Sequence, residues 1–282
     1  MKKISLVTPL KDEIDNILVL LEAVKSQTIS IQNWVVVENG STDGSKELLD
    51  EISTLTNVKN FKVVSFVLPS EKYELGGKYA TVVSVGISYL LENNLMSETD
   101  YLGILDADCT PPPNYYEDLV RFLESDAALG ISSGQAYHLD GSYDGKNSNW
   151  PRGNCRLWKR ECFISSGYII GPSADALSVC KAELKGWKCY ASKDLFYVCR
   201  EVGKKVDYSY YGYSAYYRGI PIHFSILKSI NYMLIGKFSN GASYFKGYIC
   251  SFLRRKDRVA DIDIIRYNKR ILWRRVNEKL FG

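Results

Sequence analysis

The stretch Tyr101-Leu102-Gly103-Ile104-Leu105-Asp106-Ala107-Asp108, YLGILDAD, runs from an apolar segment straight into two carboxylates one residue apart. An apolar run this short and without alternation reads as a strand buried on both faces. Two acidic side chains at its end stand where the chain leaves the core for solvent. They can cap or solubilise a strand end. They can equally share a hard divalent cation, Mn2+ or Mg2+, through oxygen ligands. A cation held there would neutralise a nucleotide diphosphate and stabilise it as a leaving group.

Upstream of this stretch, strand and helix patterns alternate. ISLVTPL (4–10) reads as a buried strand ending at a proline, and Ile14, Ile17, Leu18, Leu21 and Val24 follow at helical spacing. WVVVENG (34–40) is a second strand; Ser41-Thr42-Asp43 then offers caps for a helix carrying Leu48, Leu49 and Ile52. FKVVSFVL (61–68) is a third strand, and Gly76-Gly77-Lys78 leads into a helix through Val82, Val83, Ile87 and Leu90. The alternation predicts an α/β fold, a mostly parallel central sheet with helices on both faces. Such sheets bind ligands beyond the carboxyl ends of their strands. That edge holds Thr8 to Glu13, Glu38-Asn39 and Asp106 to Asp108.

Downstream the rhythm changes. Pro111-Pro112-Pro113 breaks the chain, a helix is expected to about Leu123, and GISSGQAYHL (130–139) reads as a strand. Residues 141–153 are rich in Gly, Ser and Asn and read as a loop.

The 282 residues are 46% hydrophobic and 24% charged, an ordinary globular composition that suits one large domain or a domain with an extension. The apolar part of the N-terminus is too short for a signal peptide, and no run of about 18 apolar residues predicts a spanning helix, so a cytoplasmic protein is expected. Seven cysteines, an odd number with no CxxC pair, argue against a disulfide framework or a structural zinc site. The net charge of +4 hides an asymmetry: from Arg200 onward there are 17 Lys+Arg against 6 Asp+Glu, a net +11, which leaves −7 on the rest. A basic tail on an acidic body predicts contact with an anionic surface. Ile226, Leu227, Ile230, Met233, Leu234 and Phe238 recur at helical spacing, and Arg254, Arg255, Lys256 and Arg258 follow. The apolar stripe favours lipid or protein over nucleic acid, so an anionic membrane surface is the expected partner, with helices packed on the α/β body as the alternative.

Two further strand ends carry chemistry. In VVVENGSTDGS, Glu38 and Asn39 can hydrogen-bond a nucleobase or ribose, although the same residues also make a turn and a helix start. In TPLKDE, Pro9 ends the strand and Glu13 follows by four residues.

Together these segments resemble the family 2 glycosyltransferases with the GT-A fold. The family's first strand ends in Pro-x-x-Asn-Glu, matched by Pro9 to Glu13 with Asp12 for the Asn; its second ends in Asp-Asp/Asn-Gly-Ser-x-Asp, matched by Glu38 to Asp43; its DxD is Asp106 to Asp108. The resemblance implies a nucleotide-diphosphate sugar donor seated by Thr8, Pro9, Glu13, Glu38, Asn39, Ser41, Lys78 and Asp106, with Asp106 and Asp108 holding Mn2+ or Mg2+. RGNCRLWKRECFISSGY (152–168) is similar to the family segment before the acceptor site, and Asp175 then matches the acidic residue that serves as general base in an inverting transfer. Asp175 also reads as a helix N-cap.

Two departures stand out. Glu38-Asn39 replaces an Asp-led pair, and an amide there can still pair with a uracil-like edge. Many relatives carry a histidine near the position of Cys199-Arg200; here His138 and His223 are the chain's two, which implies either a weaker dependence on metal or Arg200 and Lys204 carrying the phosphate charge. The tail resembles that of glycosyltransferases of cell-surface polysaccharide synthesis, which implies a glycan or lipid-linked acceptor and a peripheral place on the inner face of the cell membrane. The expected division is a catalytic domain over 1–217 and a basic amphipathic helical tail over 218–282. A sugar nucleotidyltransferase would need a glycine-rich loop after the first strand, and PLKDE has none. A membrane-associated assembly protein with a degenerate site is the non-enzymatic alternative, and the retained Asp106, Asp108 and Asp175 count against it.

Overall fold

The computed structural model describes residues 2–53, 55–68, 76–142, 149–200 and 207–273. Lys204 and the middle of the 141–153 loop lie outside the described residues.

The first half builds as the alternation predicts. β1 (Lys3–Leu10), α1 (Ile14–Lys25), β2 (Ser30–Glu38), α2 (Ser45–Ile52), β3 (Asn60–Ser65), α3 (Gly77–Glu92) and β4 (Tyr101–Leu105) follow one another along the chain. The second half adds β5 (Cys109–Thr110), α4 (Tyr115–Glu124), β6 (Leu129–Tyr137), β7 (Cys155–Lys159), α5 (Arg160–Ser166), α6 (Ala174–Leu184) and β8 (Lys188–Cys199). All eight strands join one sheet in the order β3-β2-β1-β4-β7-β6-β8-β5. β1 to β4 pair in parallel, as do β6 and β8, whereas β7 runs antiparallel between β4 and β6 and β5 runs antiparallel to β8.

Period-two alternation assigns the strand side chains to two cores. Trp34 and Val36 of β2 join Ile17, Leu20, Leu49, Tyr116 and Leu119 on the side of α1, α2 and α4. Val35 and Val37 join Val83, Ile87, Leu90, Trp158 and Val179 on the side of α3, α5 and α6. Fully burying one such side chain contributes about 1.5–3 kcal/mol, so two cores of this size fix the register. Gly103 shows how tightly β4 is packed: a Cβ there would stand 2.4 Å from Leu6 Cδ2 and 2.9 Å from Leu157 Cδ2.

Some boundaries differ from the sequence reading. β3 stops at Ser65 rather than Leu68. The N-cap of α2 is Gly44, in a left-handed conformation with φ +92°, and none of Ser41, Thr42 and Asp43. Asp43 instead accepts from the backbone N–H groups of Ser45 and Ile14, both at 3.0 Å, and ties the start of α1 to the start of α2.

Four helices complete the described chain: α7 (Tyr208–Tyr217), α8 (Ile222–Leu234), α9 (Phe238–Leu253) and α10 (Ile262–Lys269). α7, α8 and α9 share a small core of Ala215, Tyr216, Ile220, Tyr244 and Tyr248. Gly212 and Gly247 let the α7 and α9 backbones meet, because a Cβ at either would lie 1.9 Å from a carbonyl oxygen of the other helix. α10 packs on α6 through Ile264, Leu177 and Cys180, and Lys181 pairs with Asp261. α8 leaves Ile226, Leu227, Ile230 and Leu234 exposed along one side. Among the described residues, no helix is long and apolar enough to cross a membrane.

Candidate active site

The carboxyl ends of β1, β2 and β4, together with the start of α3, border a cavity of about 440 Å³. Of the residues expected from sequence, Pro9, Glu13, Asn39, Lys78, Asp106 and Asp108 line it, and Lys11 and Tyr79 join them. Three acids and two lysines thus face one space, as a charged ligand bridged by a cation would require.

Asp106 is held from two sides. Its backbone N–H donates to the Asn154 carbonyl at 2.8 Å, and its Oδ1 accepts from the Tyr79 hydroxyl at 2.6 Å. Burial pushes the Asp106 carboxyl up to about 8, against the Tyr79 hydrogen bond, while Asp108 adds to the rise and Arg156 opposes it. The same burial, with the Asp106 charge beside it, holds the Tyr79 phenol well above its usual range. Asp108 is also raised by burial, and the Arg200 guanidinium works against that rise. Arg200 Nη2 stands 2.5 Å from Glu13 Oε1 and 3.4 Å from Asp108 Oδ2. The Arg200 guanidinium is therefore set against two of the cavity's acids.

The other expected contacts lie behind this wall. Thr8 is fully buried, and its hydroxyl accepts from Trp34 Nε1 at 3.0 Å. Glu38 is 2% exposed and takes the Ser41 backbone N–H at 2.5 Å. The Ser41 hydroxyl accepts from the Asp12 N–H at 3.0 Å. None of the three lines the cavity. They fix the two strand-end loops that do, and Asn39 Oδ1, accepting from the Leu68 N–H at 3.3 Å, closes the far side.

Asp175 is the second residue of α6, and the N-cap is Ser173, with φ +62° and no side-chain cap. The N-cap reading of Asp175 is thereby corrected. Asp175 stands in the first turn of the helix, one residue inside its start. Gly153 lies between it and Arg156: a Cβ on Gly153 would be 3.3 Å from Asp175 Cβ and 3.0 Å from Arg156 Nη2. Tyr210 of α7 stands close enough for the Asp175 charge to add to the rise that burial gives its phenol. Tyr210 also packs on Gly76, where any side chain would collide with its hydroxyl.

Asp106 and Asp108 fit a hard divalent cation by donor type. Among the described residues no group of three His, Cys, Asp or Glu side chains is arranged to hold one. Two carboxylates would bind it weakly unless a diphosphate supplied further oxygens. Tyr79, Lys11 and Arg156 were not singled out by sequence reasoning. Tyr79 follows Lys78 at the start of α3, and that adjacency was the available signal.

The family model described as Glycosyl transferase family 2 matches residues 5–77 and 94–174, together more than half of the chain. Comparison with curated proteins gave no match. Among solved structures, S. aureus TarS 1–349 in complex with UDP is similar at 13% identity and TM-score 0.56, over 90% of this chain and 72% of that one. A further S. aureus TarS structure is matched over 82% of this chain, which spans only 40% of its length, with 13% identity and TM-score 0.56. The mannosyltransferase PcManGT from Pyrobaculum calidifontis, in complex with GDP-Man and Mn2+, is similar at 14% identity and TM-score 0.52, over 99% of this chain and 76% of that one. At these identities the likeness establishes the fold.

Proposed function

The chain belongs to glycosyl transferase family 2, and on that premise we propose that it moves a sugar from a nucleotide-diphosphate donor to a hydroxyl of a glycan or lipid-linked acceptor, with inversion. The observation that carries the reading is the cavity itself. Asp106 and Asp108 sit at the carboxyl end of β4 beside Glu13, and Lys11, Lys78 and Arg200 supply positive charge around them. Neighbours with this fold have been solved with UDP and with GDP-Man and Mn2+.

In this reading Asn39 meets the nucleoside from the end of β2. Lys11 and Lys78 hold the diphosphate, and Tyr79 keeps Asp106 oriented through its 2.6 Å hydrogen bond. A divalent ion on Asp106 and Asp108 would supply charge neutralisation of the leaving diphosphate. The Asp175 carboxylate takes the proton of the acceptor hydroxyl while that oxygen bonds to the anomeric carbon and the bond from the anomeric carbon to the diphosphate oxygen breaks. A carboxylate in the first helical turn rather than at the N-cap is available for that work. The apolar stripe of α8, with the basic 254–258 segment after α9, suits the inner face of a membrane where a lipid-linked acceptor would be found.

The test is thermal stability in the presence of nucleoside diphosphates, with and without Mn2+. A ligand at 100 times its Kd adds about 2.7 kcal/mol to the folded state, a shift that is easily read. Stabilisation by one base with Mn2+ is expected. No shift with any nucleoside diphosphate would remove the donor site from this cavity.

A further inference from the structure

Arg156 is the second residue of β7 and is 1% exposed. Its guanidinium stacks over the Trp158 ring at 5.0 Å, on the side of the sheet covered by α3 and α6. A guanidinium keeps its charge inside proteins and offers five N–H donors. Here Nη1 donates to the Asp175 backbone carbonyl at 3.3 Å. Nε and Nη2 are buried and meet no acceptor among the described residues. Buried donors left unpaired are costly, more so when charged, and native structures keep few of them.

The place of this group gives it a task. Its charge acts on Asp106 and Tyr79 at the cavity, on Tyr168 and on Cys189. Its other end touches the first turn of α6, which carries Asp175. It therefore acts on Asp106, at the cavity, and touches the backbone of Asp175, the carboxylate proposed as base. In the reading proposed above, the sugar in transit passes between those two. Nε and Nη2 share one edge of the guanidinium, the edge that donates two parallel hydrogen bonds to a pair of oxygens. Gly153 stands beside this edge: a Cβ on it would be 3.0 Å from Nη2.

We propose that Arg156 reads the transferred sugar of the donor, with Nε and Nη2 donating together to an oxygen pair on the glycosyl unit. The pair is a carboxylate, as on a uronic sugar, or two adjacent hydroxyls. This specificity role rests on the nucleotide-sugar reading above and adds to it a determinant on a strand where apolar side chains would pack more cheaply.

Calorimetric titration of the whole chain with Mn2+ tests it. The ligands are UDP, GDP and their glucose, N-acetylglucosamine, mannose and glucuronate conjugates. For wild type, one conjugate is expected to bind more tightly than its parent diphosphate. Arg156→Met should erase that increment, about tenfold or more for a pair of charged hydrogen bonds, so that conjugate and parent diphosphate bind alike. Arg156→Lys should not restore it, because an ammonium is a point charge without the planar fork. The thermal midpoint of Arg156→Met should equal or exceed that of wild type, since an unpaired buried cation has gone. Gly153→Ala, which keeps the guanidinium and fills the space beside it, should lose the same increment and serves if Arg156→Met does not fold. Preference for glucuronate identifies the carboxylate; preference for a neutral conjugate identifies the hydroxyl pair. An increment that survives in these variants, or a parent diphosphate that weakens equally, overturns the proposal while leaving the donor site standing. Wild-type protein that binds no nucleoside diphosphate overturns both.

Discussion

Arg200 Nη2 stands 2.5 Å from Glu13 Oε1, although 187 residues of chain separate them, and the same nitrogen is 3.4 Å from Asp108 Oδ2. One guanidinium thus bridges the loop after β1 and the DxD turn after β4. It places a cation beside the carboxylates expected to meet a divalent metal, so the two must compete in the free protein.

Arg200→Met removes that competitor. Arg200 is 55% exposed on its side chain, so the pair is screened and worth roughly 1 kcal/mol at most. The free variant is expected to bind Mn2+ a few-fold more tightly and a nucleoside diphosphate less tightly. Electron paramagnetic resonance of free Mn2+ during titration reads the first, and calorimetry the second. Unchanged Mn2+ affinity would show that Asp108 does not meet the metal.

Asp175→Asn keeps size and removes basicity. Ser173, not Asp175, holds the N-cap position, and Asn keeps the shape of Asp, so the thermal midpoint should stay near that of wild type. Transfer should fall by about 10² or more, the usual scale of general-base help, with nucleotide binding retained. A variant that turns over at the wild-type rate per folded molecule would place the base elsewhere.

Asp207 caps α7. Its carboxylate accepts from the Ser209 N–H and from the hydroxyls of Ser209 and Ser243, which lower it to about 2. A carboxyl depressed on folding stabilises above its unfolded value and loses that effect as pH falls through its folded value. Asp207→Ala should therefore cost about 1 kcal/mol at neutral pH, as lost caps do, and the difference from wild type should shrink between about pH 4 and pH 2. Denaturant melts across pH decide it; a difference that grows on acidification contradicts the sign.

The exposed side of α8 predicts membrane contact. Ile230 and Leu234 are 46% and 81% exposed. A charge at either removes apolar burial in the interface, so Ile230→Glu and Leu234→Glu should each weaken sedimentation with anionic phosphatidylglycerol vesicles. Neutralising Arg254 and Arg255 should weaken it too, by about 1 kcal/mol per residue and less at high salt. Binding that is indifferent to both pairs of changes would leave the face to a protein partner.

The sequence alone determined the features whose physics is local. Apolar runs ending at Pro9, Asn39 and Asp106 are strands because a short unbroken run cannot hide its backbone any other way in a core. The carboxyl-end placement of Glu13, Asn39, Asp106 and Asp108 follows from the βα rhythm, and all four line the cavity. The local signal failed where pattern and burial disagree. β7, CRLWK, carries Arg156 and Lys159, yet every residue in it is buried. Its neighbours across the ladder, not its own hydropathy, make it a strand. β8 carries the polar Ser192, Lys193 and Asp194 within one continuous strand, and its pairing with β6 shifts register between Ser133 and Gln135. The tertiary structure decided which polar groups meet. Tyr79 reaches Asp106 across 27 residues and Arg200 reaches Glu13 across 187. It also decided that Thr8 and Glu38 turn inward to Trp34 and Ser41. A buried hydrogen bond selects its partner by position in space, and position in space is set by how the two cores close around the sheet.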